Sequence, residues 1–248
     1  MKIIPVKTRK LLPPKDDIFK LLNTSLPKLK EGDVLLVASK LLSIHQGRAK
    51  KLKVKSEKLK IIKQEAERWI QSKMSSNEPI VLTIKNHTLI PNAGIDESNA
   101  KGYILLWPKN TGLLCKQIWQ FLKKKNKIKK LAIVAIDSHC VPLRWGAVGI
   151  SIGHFGIEPV LDYRGKKDLF GKKLKWTRKN IVDALAAMGT FMMGEGNEQI
   201  PLVIIRGMEG LKFTNKDTRK KLVIKPKKDL YYPLLKSFKK FTCPPYAC

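Results

Sequence analysis

Apolar runs and basic amphipathic stretches alternate along this chain, and their order predicts a mixed α and β protein. Residues 33–39 form a near-continuous apolar run opened by the Glu31-Gly32 turn, and residues 131–136 form a second, ending at Asp137. Both read as buried strands, because runs this short leave no polar face. Residues 112–125 carry Leu114, Ile118 and Leu122 at helical spacing, and residues 56–72 carry Leu59, Ile62, Ala66 and Ile70 on or near one face. A short helix is expected over 16–22, after the Pro13-Pro14 turn, and an apolar helix over 180–192. Residues 80–84, 88–90, 103–107, 148–152 and 202–205 read as strands, the last ending at Arg206-Gly207. The segment 40–48 closes at Gly47-Arg48, no internal repeat is visible, and the basic, proline-containing end from 237 to 248 reads as a loosely ordered tail.

Two carboxylates stand out against this pattern. Asp96 closes a polar, turn-forming run after Pro91, and Asp137 stands where a buried strand is expected to open into a loop. A carboxylate there is costly unless something pairs with it, and a divalent cation is one such partner. A helix cap or turn is the other reading of each.

The 248-residue chain is long enough to bury a sizeable core, as one large domain or two small ones. No apolar run approaches the ~20 residues of a membrane span, and the start lacks the apolar core of a signal peptide. The cysteines (Cys115, Cys140, Cys243 and Cys248) show no CxxC spacing, which argues against zinc and against a disulfide framework. The expectation is a soluble cytoplasmic protein with reduced thiols. The net charge of +30 attracts any polyanion, with one lysine cluster at Lys123–Lys125, Lys127, Lys129 and Lys130. Yet the cations form no recognisable nucleic-acid motif, and aromatics supply only 7% of the chain for base stacking. Specific nucleic-acid binding is therefore not expected, whereas small anionic substrates fit the same charge.

Taken in order, the motifs resemble one family. They are residues 33–40 with Ser43 and Gly47-Arg48; the run from Asn92 through Gly94, Asp96 and Ser98 to Asn99; Asp137-Ser138 with Pro142 and Arg144; residues 162–171; and Gly194-Glu195 before residues 200–207. The chain is similar over about residues 6 to 235 to the coenzyme F-420:L-glutamate ligases, also called F-420-0 γ-glutamyl ligases. Several motifs in the right order are far more specific than any one of them. The resemblance implies an α+β fold of mixed sheets with packed helices in two tightly joined lobes. Residues 1–235 would be the catalytic unit and 236–248 the tail. It further implies a homodimer and a GTP- and divalent-metal-dependent ligase that phosphorylates an acceptor carboxylate, the phosphate then being displaced by the amine of L-glutamate.

Within that resemblance, Asp96, Asp137, Ser138 and Glu195 align with the metal-binding positions, which implies two ions of magnesium or manganese; hard cations of this kind prefer oxygen donors. Asp137 and Arg144 are the catalytic candidates. Lys40, Ser43, Arg48, Asn92, Asn99 and Arg164 are candidates for nucleotide and substrate, arginine having a fork suited to carboxylate or phosphate. Structural roles stay open for most of these: a turn for Glu195, an Asx turn for Asn92 and Asn99, an ion pair for Arg144 and Arg164. The chain also departs from the family pattern. Val141 replaces a usual arginine, Leu143 a tryptophan and Ala147 a glutamine, while Ile44 and Gln46 replace a lysine and a glutamate. Retained acids beside altered substrate-facing positions imply that the acceptor is F-420-0 or, alternatively, a folate. A relative that has lost catalysis and binds nucleotide or RNA is the remaining reading, against which the retained acids argue.

Overall fold

A computed structural model describes residues 1–71 and 80–240. Walking along the chain, β1 (Lys2–Val6) leads to α1 (Ile18–Ser25), β2 (Asp33–Ala38) and α2 (Ser39–His45). A two-residue β3 (Ala49–Lys50), α3 (Lys55–Glu65), β4 (Arg68–Gln71), β5 (Val81–Lys85), β6 (Thr88–Pro91) and β7 (Ile104–Leu105) follow. Then come α4 (Thr111–Asn126), β8 (Leu131–Cys140), β9 (Ala147–Phe155), β10 (Val160–Asp162), β11 (Arg178–Asn180), α5 (Ile181–Met193) and β12 (Leu202–Arg206). A single-turn α6 (Tyr232–Leu235) and β13 (Lys239–Lys240) close the described chain. The fold is α+β.

The main sheet has the order β1-β12-β2-β8-β9, with β2 and β8 parallel and every other pair antiparallel. Its central strands carry continuous apolar runs, 34–38, 131–136 and 202–205, because both faces are covered there. Alternate residues point to opposite sides. Leu35, Val37, Ile133, Ala135 and Ile204 join α1, α2 and α4 in one core, while Val34, Leu36, Val134, Ile136 and Val203 meet α5 in another. On that second side Gly149 is a requirement of packing, since a Cβ there would sit 2.2 Å from the Ala186 carbonyl oxygen. A smaller antiparallel sheet, β13-β4-β5-β6, is separate from the first but meets β8 through β6, and a small core of Ile61, Ile104 and Leu106 links α3 to β7 and the residue after it.

Several expectations shift. The helix predicted over 56–72 ends at Glu65: Ala66 turns to extended backbone, and Trp69 and Ile70 pair with Thr83 and Leu82 instead of continuing the helical face. Cross-strand pairing overrode the local periodicity, and residue 72 lies outside the described residues. The strand predicted to end before Asp137 runs on to Cys140, so Asp137 stands inside a strand, opposite Ile150. Within the expected tail, Lys239 and Lys240 pair with Trp69 and Arg68; residues 241–248, with Cys243 and Cys248, lie outside the described residues. Strand β1 gave no local signal because Pro5 interrupts it, which an edge strand tolerates. Among the described residues, no helix is long and apolar enough to cross a membrane.

Candidate active site

A cleft of about 830 Å³ opens where the C-terminal ends of β2 and β8 meet the loop that follows α5. Its walls include Arg9, Lys10, Ser39, Lys40, Asn99, Lys101, Asp137, Ser138 and the loop from Gly194 to Gln199. The parallel pair β2 and β8 explains the location: strands running side by side deliver Ser39-Lys40 and Asp137-Ser138 to the same end of the sheet.

Asp137 is the most constrained group. Its carboxylate accepts from the Trp107 indole N–H and from the Ser138 amide at 3.0 Å, and the Ser39 hydroxyl also favours its charged form. Burial nevertheless pushes its pKa up to about 6 against those three donors, and the charge of Asp96 adds to the rise. Asp96 shows the opposite balance. Burial would raise it, but Lys40, whose Nζ lies 2.8 Å from Oδ2, holds it below the usual carboxylate range. Lys40 also donates to the Ser98 hydroxyl at 2.6 Å, and the Ser98 amide donates to Asp96 Oδ1 at 2.6 Å. Glu195 enters from the loop after α5, with the Ser138 hydroxyl 3.5 Å from its Oε2. Asn99 donates to the Gly196 carbonyl at 2.8 Å and so ties that loop to the Asp96 segment.

A family model for F420-0:Gamma-glutamyl ligase matches residues 6–207. The chain belongs to that family. Among its relatives, Coenzyme F420:L-glutamate ligase of Methanosarcina mazei is 35% identical over 195 residues, covering 73% of this chain and 76% of the relative. The protein of the same name from Methanocaldococcus jannaschii is also 35% identical over 195 residues, 72% of this chain and 77% of its own. That of Methanopyrus kandleri is 28% identical over 250 residues, 93% of this chain and 97% of the relative. F420-0:gamma-glutamyl ligases are amide-bond-forming enzymes, and the chain is a ligase by that membership.

Against this F420-0:gamma-glutamyl ligase background, the residues singled out from sequence divide in two. Lys40, Asn99, Asp137, Ser138 and Glu195 line the cleft, and Asp96 is held at its edge by Lys40. The others are placed elsewhere. Arg48 donates to Glu65 at 2.6 Å and to the Trp107 carbonyl at 3.1 Å, and Lys85 shares the same Glu65 oxygen at 2.6 Å. Ser43 is buried inside α2. Asn92 accepts from the Val81 amide at 3.1 Å and shapes the turn after β6 with its φ of 51°. Arg164 grips Asp162 with two nitrogens on an exposed hairpin, and Arg144 stands exposed in the β8–β9 turn. Val141 and Leu143 lie in that same turn, with Ala147 at the start of β9, outside the cleft lining.

Sequence reasoning missed Ser39, Trp107, Arg9, Lys10 and Lys101. Ser39 is the last residue of the run 33–39 read as a buried strand, and a hydroxyl at that end is a signal the sequence offers. The cations come from loops brought in from the N-terminus and from beyond Asn99, and only the fold collects them.

Proposed function

We propose that this protein joins L-glutamate to the carboxylate of an acceptor of the F-420-0 type, using GTP and divalent cations. One observation carries the reading: paired acids, Asp96 and Asp137, stand beside a hydroxyl and Glu195 at a cleft whose other walls bring Arg9, Lys10, Lys40 and Lys101. The cations suit the phosphates of a nucleotide and a multiply anionic acceptor. In the proposed reaction the γ-phosphoryl group passes to the acceptor carboxylate and releases GDP. The glutamate amine then attacks the acyl carbon, loses a proton and expels inorganic phosphate.

The donor set fits magnesium or manganese. Asp96, Asp137, Ser138 and Glu195 offer only hard oxygens, and the burial that raises the Asp137 pKa is a cost to its charged form that a bound cation would offset. Among the described residues, no three His, Cys, Asp or Glu side chains already converge as ligands, and the Lys40 ammonium occupies Asp96. A bound divalent ion would supply charge neutralisation to the phosphoryl group. The chain's own residues meanwhile orient Asp137 and hold the Gly194 loop across the cleft.

A homodimer belongs to the same proposal. Leu143, Trp145 and Phe191 are 106%, 105% and 87% exposed in the single chain, an apolar surface that a second copy would cover. Sedimentation should find twice the mass of the chain, and a monomer at micromolar concentration would remove this element.

The test of activity incubates the protein with labelled glutamate, GTP, manganese and either F-420-0 or a folate. Extended F-420-0 supports the reading. Extension of folate alone keeps the chemistry and changes the acceptor; the altered Val141, Leu143 and Ala147 lie outside the cleft lining and do not decide between the two. No extended product with either would leave nucleotide binding as the residual role.

A further inference from the structure

The segment after β7 is bolted to the end of α2 more firmly than a connection needs to be. Leu106 N donates to the Arg48 carbonyl at 2.9 Å, and Arg48 Nε donates back to the Trp107 carbonyl at 3.1 Å. Two residues on, the Gln46 side chain donates to the Lys109 carbonyl at 2.9 Å and accepts from the Lys109 amide at 2.8 Å. A glutamate at position 46 has no N–H to give and would satisfy only half of this pair. Arg48 is fixed in turn by Glu65, whose second partner is the buried Lys85.

Everything held by this clamp leads to the two aspartates. Asp96 exchanges both backbone hydrogen bonds with Leu105, at 3.0 and 2.7 Å. Trp107, two residues further along, is 1% exposed and aims its indole N–H at Asp137 Oδ2. Gly94 makes room for the ring: a Cβ there would meet Trp107 Nε1 at 2.2 Å, and its φ of +69° already favours glycine. Residues 105 to 109 thus index Asp96 through the backbone and Asp137 through a side chain. A buried indole N–H has a single donor and no acceptor, so it fixes one carboxylate oxygen without neutralising the charge.

We propose that Trp107 is the positioning residue of Asp137: its N–H locks the carboxylate orientation, and the Gln46 and Arg48 clamp holds the indole in place. The proposal rests on the reading of Asp137 as a ligand for a divalent cation. Outer-shell donors to metal-binding carboxylates set orientation, and losing one typically weakens binding by about 10–100-fold.

The test is titration of the full-length protein with Mn2+ alone, reading the free ion by electron paramagnetic resonance, for wild type, Trp107→Phe, Asp137→Asn and the double variant. Trp107→Phe keeps an aromatic ring and removes the N–H together with the five-membered ring that carries it. It should weaken Mn2+ binding by about tenfold or more in the Asp137 background and add nothing in the Asp137→Asn background. Unchanged affinity in a folded Trp107→Phe protein, or an equal further loss on top of Asp137→Asn, overturns the proposal alone. Wild-type affinity in Asp137→Asn overturns the metal reading beneath it. If Trp107→Phe does not fold, the indole 15N–1H resonance decides, assigned by replacing Trp69, Trp119, Trp145 and Trp176 in turn. It should move in Asp137→Asn and on adding Mg2+; a resonance indifferent to both overturns the proposal.

Discussion

Single side chains in this protein are held by opposed influences, and Asp137 is the clearest case. Burial pushes its carboxyl up while three donors pull it down, and the net value near 6 leaves the neutral and charged forms close in energy. Asp137→Asn keeps the shape and removes the charge. It should lower glutamate incorporation by more than the ~10–100-fold typical of an outer-shell change, with the thermal midpoint unchanged or raised because a buried anion is gone. Full turnover in the folded variant would remove Asp137 from the chemistry. Asp33 behaves differently. Its side chain is wholly buried at the start of β2, yet it accepts from Arg206 Nε at 2.8 Å, Arg206 Nη2 at 2.7 Å and the Lys30 amide at 2.8 Å. Arg206→Ala strands that carboxylate, so chemical denaturation should show a loss of about 3–5 kcal/mol, far above the cost of trimming a surface arginine.

Elements are secured at their ends. The Asp17 carboxylate caps α1 by accepting from the Phe19 amide at 2.8 Å and the Lys20 amide at 3.4 Å, and the helix buries Ile18, Leu21 and Leu22. Asp17→Ala should cost about 1 kcal/mol in urea denaturation, leaving the cleft untouched. Strand β9 is secured by His154, which lies inside the protein with Nε2 3.2 Å from the Thr218 hydroxyl; that hydroxyl donates to the Ile157 carbonyl at 2.8 Å. Burial lowers the His154 pKa to about 4, while Asp217 and Glu158 pull it up and Arg219 pushes it down. The unfolded chain therefore binds the proton first. The stability His154 contributes is complete above its ordinary value of about 6.5 and declines as pH falls from there toward about 4. Thermal unfolding of wild type should weaken across that window, and His154→Gln should flatten the dependence. Equal slopes would assign the loss to carboxylates elsewhere.

At the scale of the molecule, the charge of +30 is a cost to compactness and a source of long-range attraction. The 20 acidic residues cannot pair 50 cations, and several of the ion pairs among the described residues engage exposed side chains and are of modest worth. Raising salt from about 10 to about 300 mM shortens the Debye length from ~30 Å to below 10 Å, so the melting temperature should rise. A fall would mean that the surface pairs outweigh the self-repulsion. The same charge predicts nucleic-acid binding that is weak and collapses steeply with salt, whereas GTP binding at one cleft should saturate at one per chain. Tight, sequence-selective RNA binding at 150 mM salt would favour the non-catalytic reading.

What the sequence alone determined is whatever local spacing or ordered motifs can carry. The buried strands around Leu35 and Ile133, the amphipathic face of Leu114, Ile118 and Leu122, and the family itself were all legible, as was the placing of Lys40, Asn99, Asp137, Ser138 and Glu195 at one cleft with Asp96 at its edge. Helix α3 was legible only in part, because pairing between Trp69 and Thr83 across the smaller sheet decided where it ended. Arg48 and Asn92 could not be placed from sequence: a guanidinium fork suits Glu65 as well as a phosphate, and only the tertiary arrangement brings Glu65 and Lys85 to it. Trp107 gave no signal at all, since an indole in an apolar run reads as core. Its role comes from a hydrogen bond to a residue thirty positions away, and contacts of that separation exist only once β2 and β8 lie side by side.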